Sequence, residues 1–204
     1  MAAMLNDIYF PEKLARSEQQ ALVEKLRSLI SEAPLYRPVM PRSGKPLSVR
    51  MTNLGQVGWI SDKAGYRYDP RHPETCKLWP SIPGSLLDLW QEVTPEGTPL
   101  PDACLVNFYD ADAKMGLHRD EDEADLTQPV VSVSLGDDAL FRLGGLSRKD
   151  KTSSLRLRSG DVVVLHGDNR LAYHGIGRIY PGTSTLLKQG GRINLTLRVA
   201  EMRG

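Results

Sequence analysis

The chain has 204 residues, 26 Lys/Arg against 25 Asp/Glu, a net charge of +1, 40% apolar and 25% charged residues. These values fit one globular core and carry no blanket polyanion-binding signal. No apolar run has transmembrane length and no basic-then-apolar leader opens the chain, so a cytoplasmic protein without membrane attachment is expected. The two cysteines, Cys76 and Cys104, sit in no metal or redox spacing, which argues against a disulfide scaffold or zinc finger and leaves packing as their role. The charge is unevenly spread: local balances are +5 over residues 36–80, −8 over 102–138 and +8 over 141–204. A fold that gathered the two basic segments around one mouth would make a basic rim.

Residues 1–16 show no clear pattern. Ser17-Glu-Gln-Gln20 reads as a capping box with Ser17 as N-cap. Leu22, Val23, Leu26, Leu29 and Ile30 then recur at helical spacing. They predict a helix over 18–32, ended by Pro34, that lays one apolar stripe on a sheet. Residues 37–46 are a Pro/Gly/Lys/Arg loop, and the alternation over 47–53 predicts a strand. Trp59, Tyr66, Tyr68 and Trp79 follow, interleaved with Lys63, Arg67, Arg71 and Lys77. Such interleaving suits a surface that stacks bases and neutralises phosphates, although core or lid packing accounts for the aromatics equally. His72, in a Pro-flanked loop, reads as exposed. A short helix is expected over 83–93. From 101 onward short strands succeed one another, at 103–109, 114–118, 130–136, 139–143, 154–158, 161–166, 171–176 and 192–199, with a hairpin about Ser159-Gly160. Many short strands with frequent turns indicate a sandwich or jelly roll. The expected fold is mainly β (α+β): one domain over 1–204, with helices and an aromatic, basic layer in 1–100 on a β core in 101–204.

Three constellations could carry chemistry. His118 and Asp120 are two residues apart, so on an extended segment they project to one face. A second histidine, His174, follows after enough strands to return beside them. Two histidines and one carboxylate with open coordination positions are the ligand set of non-haem Fe(II) oxygenases, although His-X-Asp also fits a surface turn. The last strand alternates strictly: Ile193, Leu195 and Leu197 share one face; Arg192, Asn194, Thr196 and Arg198 share the other. Exposed, this is an ordinary amphipathic strand. Turned into a barrel, its two guanidinium groups would need anions, and a small dicarboxylate would supply them. Asn107 and Tyr109 form a third pair on one face, able to hydrogen-bond a carboxylate. The run Asp120-Glu-Asp-Glu-Ala-Asp125 reads as a solvated loop, or as a carboxylate at 122 facing a cationic base.

Taken in order, Asn107-Phe-Tyr109, His118-Arg-Asp120, Val131-Ser-Val-Ser-Leu-Gly136, Asp161-Val-Val-Val164, Tyr173-His174-Gly175 and Arg192-X-Asn-X-Thr-X-Arg198 resemble the AlkB family of Fe(II)/2-oxoglutarate-dependent nucleic-acid dealkylases over about residues 37–199. The resemblance implies a double-stranded β-helix core and a nucleotide-recognition lid. It implies His118, Asp120 and His174 as iron ligands and Asn107, Tyr109, Arg192, Asn194 and Arg198 as holders of 2-oxoglutarate, with Arg192 at the remote carboxylate and Arg198 near the metal. It carries substrate contacts over to Trp59, Tyr66, Tyr68, Asp122, Arg148 and Met51, with a flipped base stacked between His174 and Trp59. The implied reaction uses O2 and removes N-alkyl groups from N1-methyladenine or N3-methylcytosine in DNA or RNA. A single strand is preferred because base extrusion there costs less; for the oligomeric state, which the sequence leaves open, a monomer is the default. Two departures, Phe108 where a basic residue is expected and Leu165-His166 where an aromatic is usual, bear on substrate range. An oxygenase of proteins or small molecules and a non-catalytic jelly-roll binding module are the competing readings.

Overall fold

The computed structural model describes residues 7–201. Twelve strands and two helices appear among them: β1 (Tyr9–Phe10), α1 (Arg16–Glu32), β2 (Arg50–Gly55), β3 (Gly58–Asp62), β4 (Gly65–Asp69), α2 (Gly84–Val93), β5 (Ala103–Tyr109), β6 (Met115–His118), β7 (Val130–Gly136), β8 (Asp138–Leu143), β9 (Ser153–Leu157), β10 (Val162–Leu165), β11 (His174–Tyr180) and β12 (Arg192–Arg198). A six-stranded sheet runs β1-β10-β7-β12-β5-β2, a four-stranded sheet runs β6-β11-β8-β9, and β3-β4 is a separate hairpin. The strand pairs are antiparallel. Two antiparallel sheets face to face around one interior are the double-stranded β-helix expected from the strand spacing.

Strand parity decides what each sheet face meets. On the six-stranded sheet, Val131, Val133 and Leu135 of β7 and Ile193, Leu195 and Leu197 of β12 face outward, where they bury against Leu22, Leu26 and Leu29 of α1 and Leu86, Leu89 and Trp90 of α2. The inner face and the four-stranded sheet share a second core that includes Tyr109, Val163, Leu165, Phe141, Leu157 and Ile176. All seven residues of β12 are buried, so its polar face lies inside the molecule rather than in solvent.

The structure moves several local expectations. Helix α1 starts two residues early: its N-cap is Ala15, whose N–H donates to Glu18 Oε2 at 2.7 Å, so Ser17 lies within the first turn and the capping pair is Ala15 and Glu18. The first long strand is β2, shifted to 50–55, where it pairs with β5. β9 and β10 form no hairpin. β9 pairs with β8 and β10 with β7 and β1, so Ser159-Gly160 carries the chain from one sheet to the other. Asp161 fixes that crossing by accepting from Arg158 N, Glu12 N and Tyr9 Oη, with Gly160 at φ +92°. His72 is buried, not exposed. Its Nε2 bonds to Pro34 O, its Nδ1 accepts from the Glu74 and Thr75 amides, and Trp79 packs beside it. The ring thus templates a turn in a Pro-rich segment that composition alone assigns to the surface. Trp79 is likewise core, donating from Nε1 to Asp69 O. Of the two cysteines, Cys104 packs in the core as expected and Cys76 is exposed.

Candidate iron and cosubstrate site

The inner face of the barrel builds the site. His118 ends β6 and His174 begins β11, and the two are cross-strand partners. Their ring centroids are 4.6 Å apart. Asp120, two residues past β6, reaches back beneath both: its Oδ1 is 3.9 Å from His118 Nε2 and its Oδ2 is 3.7 Å from His174 Nε2. The three ligand atoms lie within 4.8 Å of one another. Gly175 makes this closeness possible, since a Cβ there would stand 2.6 Å from Met115 O and 2.7 Å from Gly116 O.

Each imidazole bonds through Nδ1 to the carbonyl two residues before it, His118 to Gly116 O at 2.9 Å and His174 to Ala172 O at 3.0 Å. A carbonyl only accepts, so Nδ1 must carry the proton and Nε2 must present its lone pair. Burial pushes His174 down to about 4, against a counter-pull from Asp120. It is therefore a neutral ligand at physiological pH. Burial alone would raise Asp120, but Arg198, His174 and His118 together hold it well below the usual carboxylate range. Its Oδ2 is buried without a hydrogen-bond partner. Two imidazoles oriented through Nδ1 so that Nε2 faces the cavity, and one carboxylate with an unpartnered oxygen, fit a divalent iron with three positions left open.

The cavity, about 70 Å³, runs from this triad between the sheets past Asn107, Tyr109 and Ser132 to Arg192 and Asn194. The register places Arg192 opposite Tyr109 and Asn194 opposite Asn107. Arg192 is 0% exposed, with Nη2 on Ser134 Oγ at 2.9 Å and with Nε and Nη1 unpartnered. Burial lowers it to about 10, and burial pushes the neighbouring Tyr109 phenol up to about 12. A buried guanidinium with two free donors is costly alone and suits a carboxylate, which takes two parallel N–H bonds. Asn107 Oδ1 is also buried and unpartnered, while Asn194 is held by Ser132 Oγ and Val133 O. The alternating serines of β7 are thus the scaffold of this end of the cavity.

Arg198 sits at the metal end. It donates to Asp120 Oδ1 at 2.8 Å and to Tyr68 Oη at 3.2 Å. Burial would lower its pKa, but Asp120, Tyr68 and Glu123 outweigh that and raise it. Glu123 and Arg170 were not singled out by the sequence reading. Glu123 is buried, accepting from Tyr68 Oη at 2.8 Å and Arg170 Nη2 at 3.1 Å, with Arg198 Nε at 3.4 Å. Arg170 also donates to the Asp120 and Gln128 carbonyls. This buried network, built from the supposed solvated acidic run, fixes the backbone of a metal ligand. The one visible signal was Arg170, an isolated basic residue four positions before His174.

The β3–β4 hairpin, tied to the metal end where Tyr68 meets Arg198, brings Trp59 and Tyr66 into a stack at 5.5 Å and 19°, with Tyr66 48% exposed. Trp59 Nε1 donates to Asp122 Oδ2 at 2.8 Å. Tyr68, the cross-strand partner of Trp59, turns inward to Glu123 and Arg198. The open imidazole is that of His118, whose side chain is 40% exposed against 12% for His174. His174 is the enclosed ring of the pair. Met51 is buried in the inner core, opposite Asn107 on β5. Arg148 is exposed in the loop after β8 and makes no ion pair with the site. At Phe108, where a basic residue was expected, Arg50 lies cross-strand with its guanidinium 4.6 Å over the ring.

A facial His-Asp-His triad inside a jelly roll, with a buried guanidinium at the cavity's far end, defines a mononuclear iron oxygenase that uses a keto-acid cosubstrate. The family model of the 2OG-Fe(II) oxygenase superfamily matches residues 6–198. The chain is 56% identical over 193 residues to an alpha-ketoglutarate-dependent dioxygenase AlkB homolog of Caulobacter vibrioides, covering 94% of this chain and 86% of that one. It is 44% identical over 191 residues to the alpha-ketoglutarate-dependent dioxygenase AlkB of Escherichia coli, covering 92% and 88%. The solved structure of OsALKBH1 superposes with a TM-score of 0.78 at 32% identity, over 94% of this chain and 96% of that one. The chain belongs to the 2OG-Fe(II) oxygenase superfamily and, within it, to the AlkB-type dioxygenases. Its chemistry accordingly requires Fe(II), 2-oxoglutarate and O2.

Proposed function

We propose that this dioxygenase removes N-alkyl groups from bases such as N1-methyladenine and N3-methylcytosine in DNA, and in RNA where the base is equally accessible. The observation that carries this reading is the arrangement at the mouth. A half-buried indole stacked on an exposed phenol, with a carboxylate bonded to the indole, accompanies a triad whose His118 imidazole is partly open, and together they offer faces for one planar, electron-poor ring. Bound iron and 2-oxoglutarate supply the oxidation of the N-alkyl carbon, with succinate, CO2 and formaldehyde as the products beside the restored base.

The protein's own groups do the rest. His118, Asp120 and His174 hold the metal, and Arg198 keeps Asp120 charged. Arg192, with Tyr109 and Asn194, takes the remote carboxylate of 2-oxoglutarate, and Asn107 faces the same space. Trp59, Tyr66 and His118 offer faces for the extracted base. Tyr68 acts behind them, holding Arg198 and Glu123, and Met51 supports the lid strand from below. Arg148 meets the strand outside the pocket. Asp122 explains a preference for methylated bases that carry positive charge: the cation is attracted and the neutral product is released. A single strand is the favoured substrate because extracting a base from a duplex costs a few kcal/mol more. The free thiols suit a reducing compartment, consistent with a cytoplasmic monomer.

The test is release of formaldehyde and succinate from an N1-methyladenine or N3-methylcytosine oligonucleotide with Fe(II), 2-oxoglutarate and ascorbate, beside a His118→Ala control. Both products are expected, and both are lost in the control. Succinate without formaldehyde would overturn the substrate assignment and favour an oxygenase of another substrate class.

A further inference from the structure

The third charged block of the sequence, +8 over residues 141–204, is not absorbed by the active site. Arg192 and Arg198 lie inside the barrel and Arg170 is buried beneath Asp120. The structure assigns several of the others to one place, the outer face of the four-stranded sheet. We infer that this face is a phosphate track for the nucleic-acid backbone as it leaves the active site, an inference that rests on the nucleic-acid reading above.

Parity puts the arginines there. Phe141, Leu143 and Leu157 point into the barrel, so Arg142 of β8 and Arg156 and Arg158, at and just past the end of β9, point out. The register sets Arg142 opposite Ser154 and Gly175, one step from the Leu143–His174 pair at the mouth. Leu140, the next outward position, is flanked by Arg156 on one side and Arg178 of β11 on the other. With strands about 4.8 Å apart, Arg156 and Arg178 stand roughly 10 Å apart across the sheet, and Arg142 lies about 7 Å nearer the mouth. All four arginines are exposed. Both α-helices of the described residues pack on the other sheet, so among the described residues no helical layer covers this one.

Two details show how the track is set. The Arg156 and Arg178 guanidinium groups both lie over the Tyr180 ring, at 4.5 and 4.9 Å, which holds two like charges side by side at a fixed orientation. On this face the carboxylate is Asp138, which pairs with Arg156 at 2.8 Å, so Arg142, Arg158 and Arg178 keep no acidic partner among the described residues. At the mouth end, the loop after β8 adds Arg148, Lys149 and Lys151, with Asp150 turned back to the Ser147 amide. At the far end, Arg158 opens into a cleft of about 580 Å³ with Arg16, Ser159, Thr183, Thr185 and the carboxylate of Glu12 on its walls.

The chemistry selects a polyphosphate strand. Guanidinium forks match phosphate oxygens, and steps of roughly 7 Å between successive outward positions are close to twice the 3.4 Å rise between phosphates of one stacked strand. The large exposed apolar side chains of the described residues (Met40, Tyr66, Leu78, Leu100 and Leu146) all lie off β8, β9 and β11. The face therefore lacks the apolar centre of a protein interface and the inserting side chains of a membrane-binding surface.

The test compares the full-length, metal-loaded wild type with an R142Q/R158Q/R178Q variant that leaves the Arg156–Asp138 pair intact. Binding and turnover are measured on methylated single strands of about 5 and about 20 nucleotides across a salt series. For the long strand, the slope of log Kd against log salt should fall by about 2 in the variant, at about 0.7 per lost phosphate contact. Its affinity at low salt should weaken by about tenfold and its KM rise to match. The short strand should bind and turn over equally in both proteins. An unchanged slope on the long strand, or equal losses on both lengths, would overturn the track. So would tighter binding of wild type to vesicles of acidic phospholipid than to the long strand. If neither methylated strand is turned over but unmethylated long strands still bind with an arginine-dependent slope, the demethylase reading fails and the track stands.

Discussion

Replacing Arg192 with Met separates what this residue does for folding from what it does for the cosubstrate. Arg192 is fully enclosed with one hydrogen bond, to Ser134, and two donors unpartnered. Its fall from an ordinary 12.5 to about 10 corresponds to about 3 kcal/mol against the charged form. At pH 7 the group is charged both folded and unfolded, so that cost is fully present. Met fills a similar volume without charge. Against the relief stand the lost bond to Ser134, about 1 kcal/mol, and any hydration of the guanidinium by water drawn into the cavity. A net gain of about 1–2 kcal/mol remains, or a rise in Tm of roughly 2–8 °C for a domain of this size. The same change removes a charge-assisted partner of the remote carboxylate, worth about 2–5 kcal/mol, so 2-oxoglutarate should bind at least about thirtyfold more weakly. Thermal unfolding in a chelator measures the first effect. Calorimetric titration of the metal-loaded protein with 2-oxoglutarate measures the second. A variant that is less stable than wild type and binds 2-oxoglutarate as well would refute the reasoning on both counts.

Three further outcomes follow from the same geometry. Glu123→Gln leaves the Arg170 and Arg198 guanidinium groups facing a neutral amide inside the protein, and denaturant unfolding should show a loss of about 3 kcal/mol. In a chelator, Tm should fall as the pH drops from about 6.5 to about 4. Over that window the unfolded chain protonates His174 while burial keeps the folded imidazole neutral, so the unfolded state binds more protons. His174→Gln should flatten that part of the profile, whereas the loss from Asp120, whose folded carboxyl is held low, persists below the ordinary carboxylate range. Gly175→Ala would force its Cβ against the Met115 and Gly116 carbonyls and spread β6 from β11. Iron affinity, followed by competition with a chelator, should fall by about tenfold or more.

The strand-rich half was legible because its strands are short, apolar and bounded by turn residues, and because β12 alternates strictly between polar and apolar residues. The site was legible for a related reason. The four polar residues of β12 follow the two-residue period of a strand, His118 ends β6 with Asp120 just beyond it, and the chain order of the motifs supplied the rest. What stayed hidden depended on long-range neighbours. Nothing local in Ser159-Gly160 tells a hairpin from a crossing between sheets; the Asp161 clamp on Tyr9 and Glu12 decides it. The side chain of His72 is buried because Pro34, 38 residues earlier, offers a carbonyl. Glu123 looks like its acidic neighbours until Arg170 and Arg198 arrive from distant segments. Which histidine faces the mouth was likewise a property of sheet closure, invisible in a spacing.

Each metal-facing imidazole is oriented by a main-chain carbonyl two residues upstream. Main-chain oxygens are present whatever side chain a codon specifies, so the tautomers of His118 and His174 are insulated from most sequence drift around them. The hairpin that carries Trp59, Tyr66 and Tyr68 is a separate two-stranded piece joined to this frame chiefly through side chains. Changes in the hairpin can therefore alter what surrounds the opening while the frame that holds the triad stays as it is.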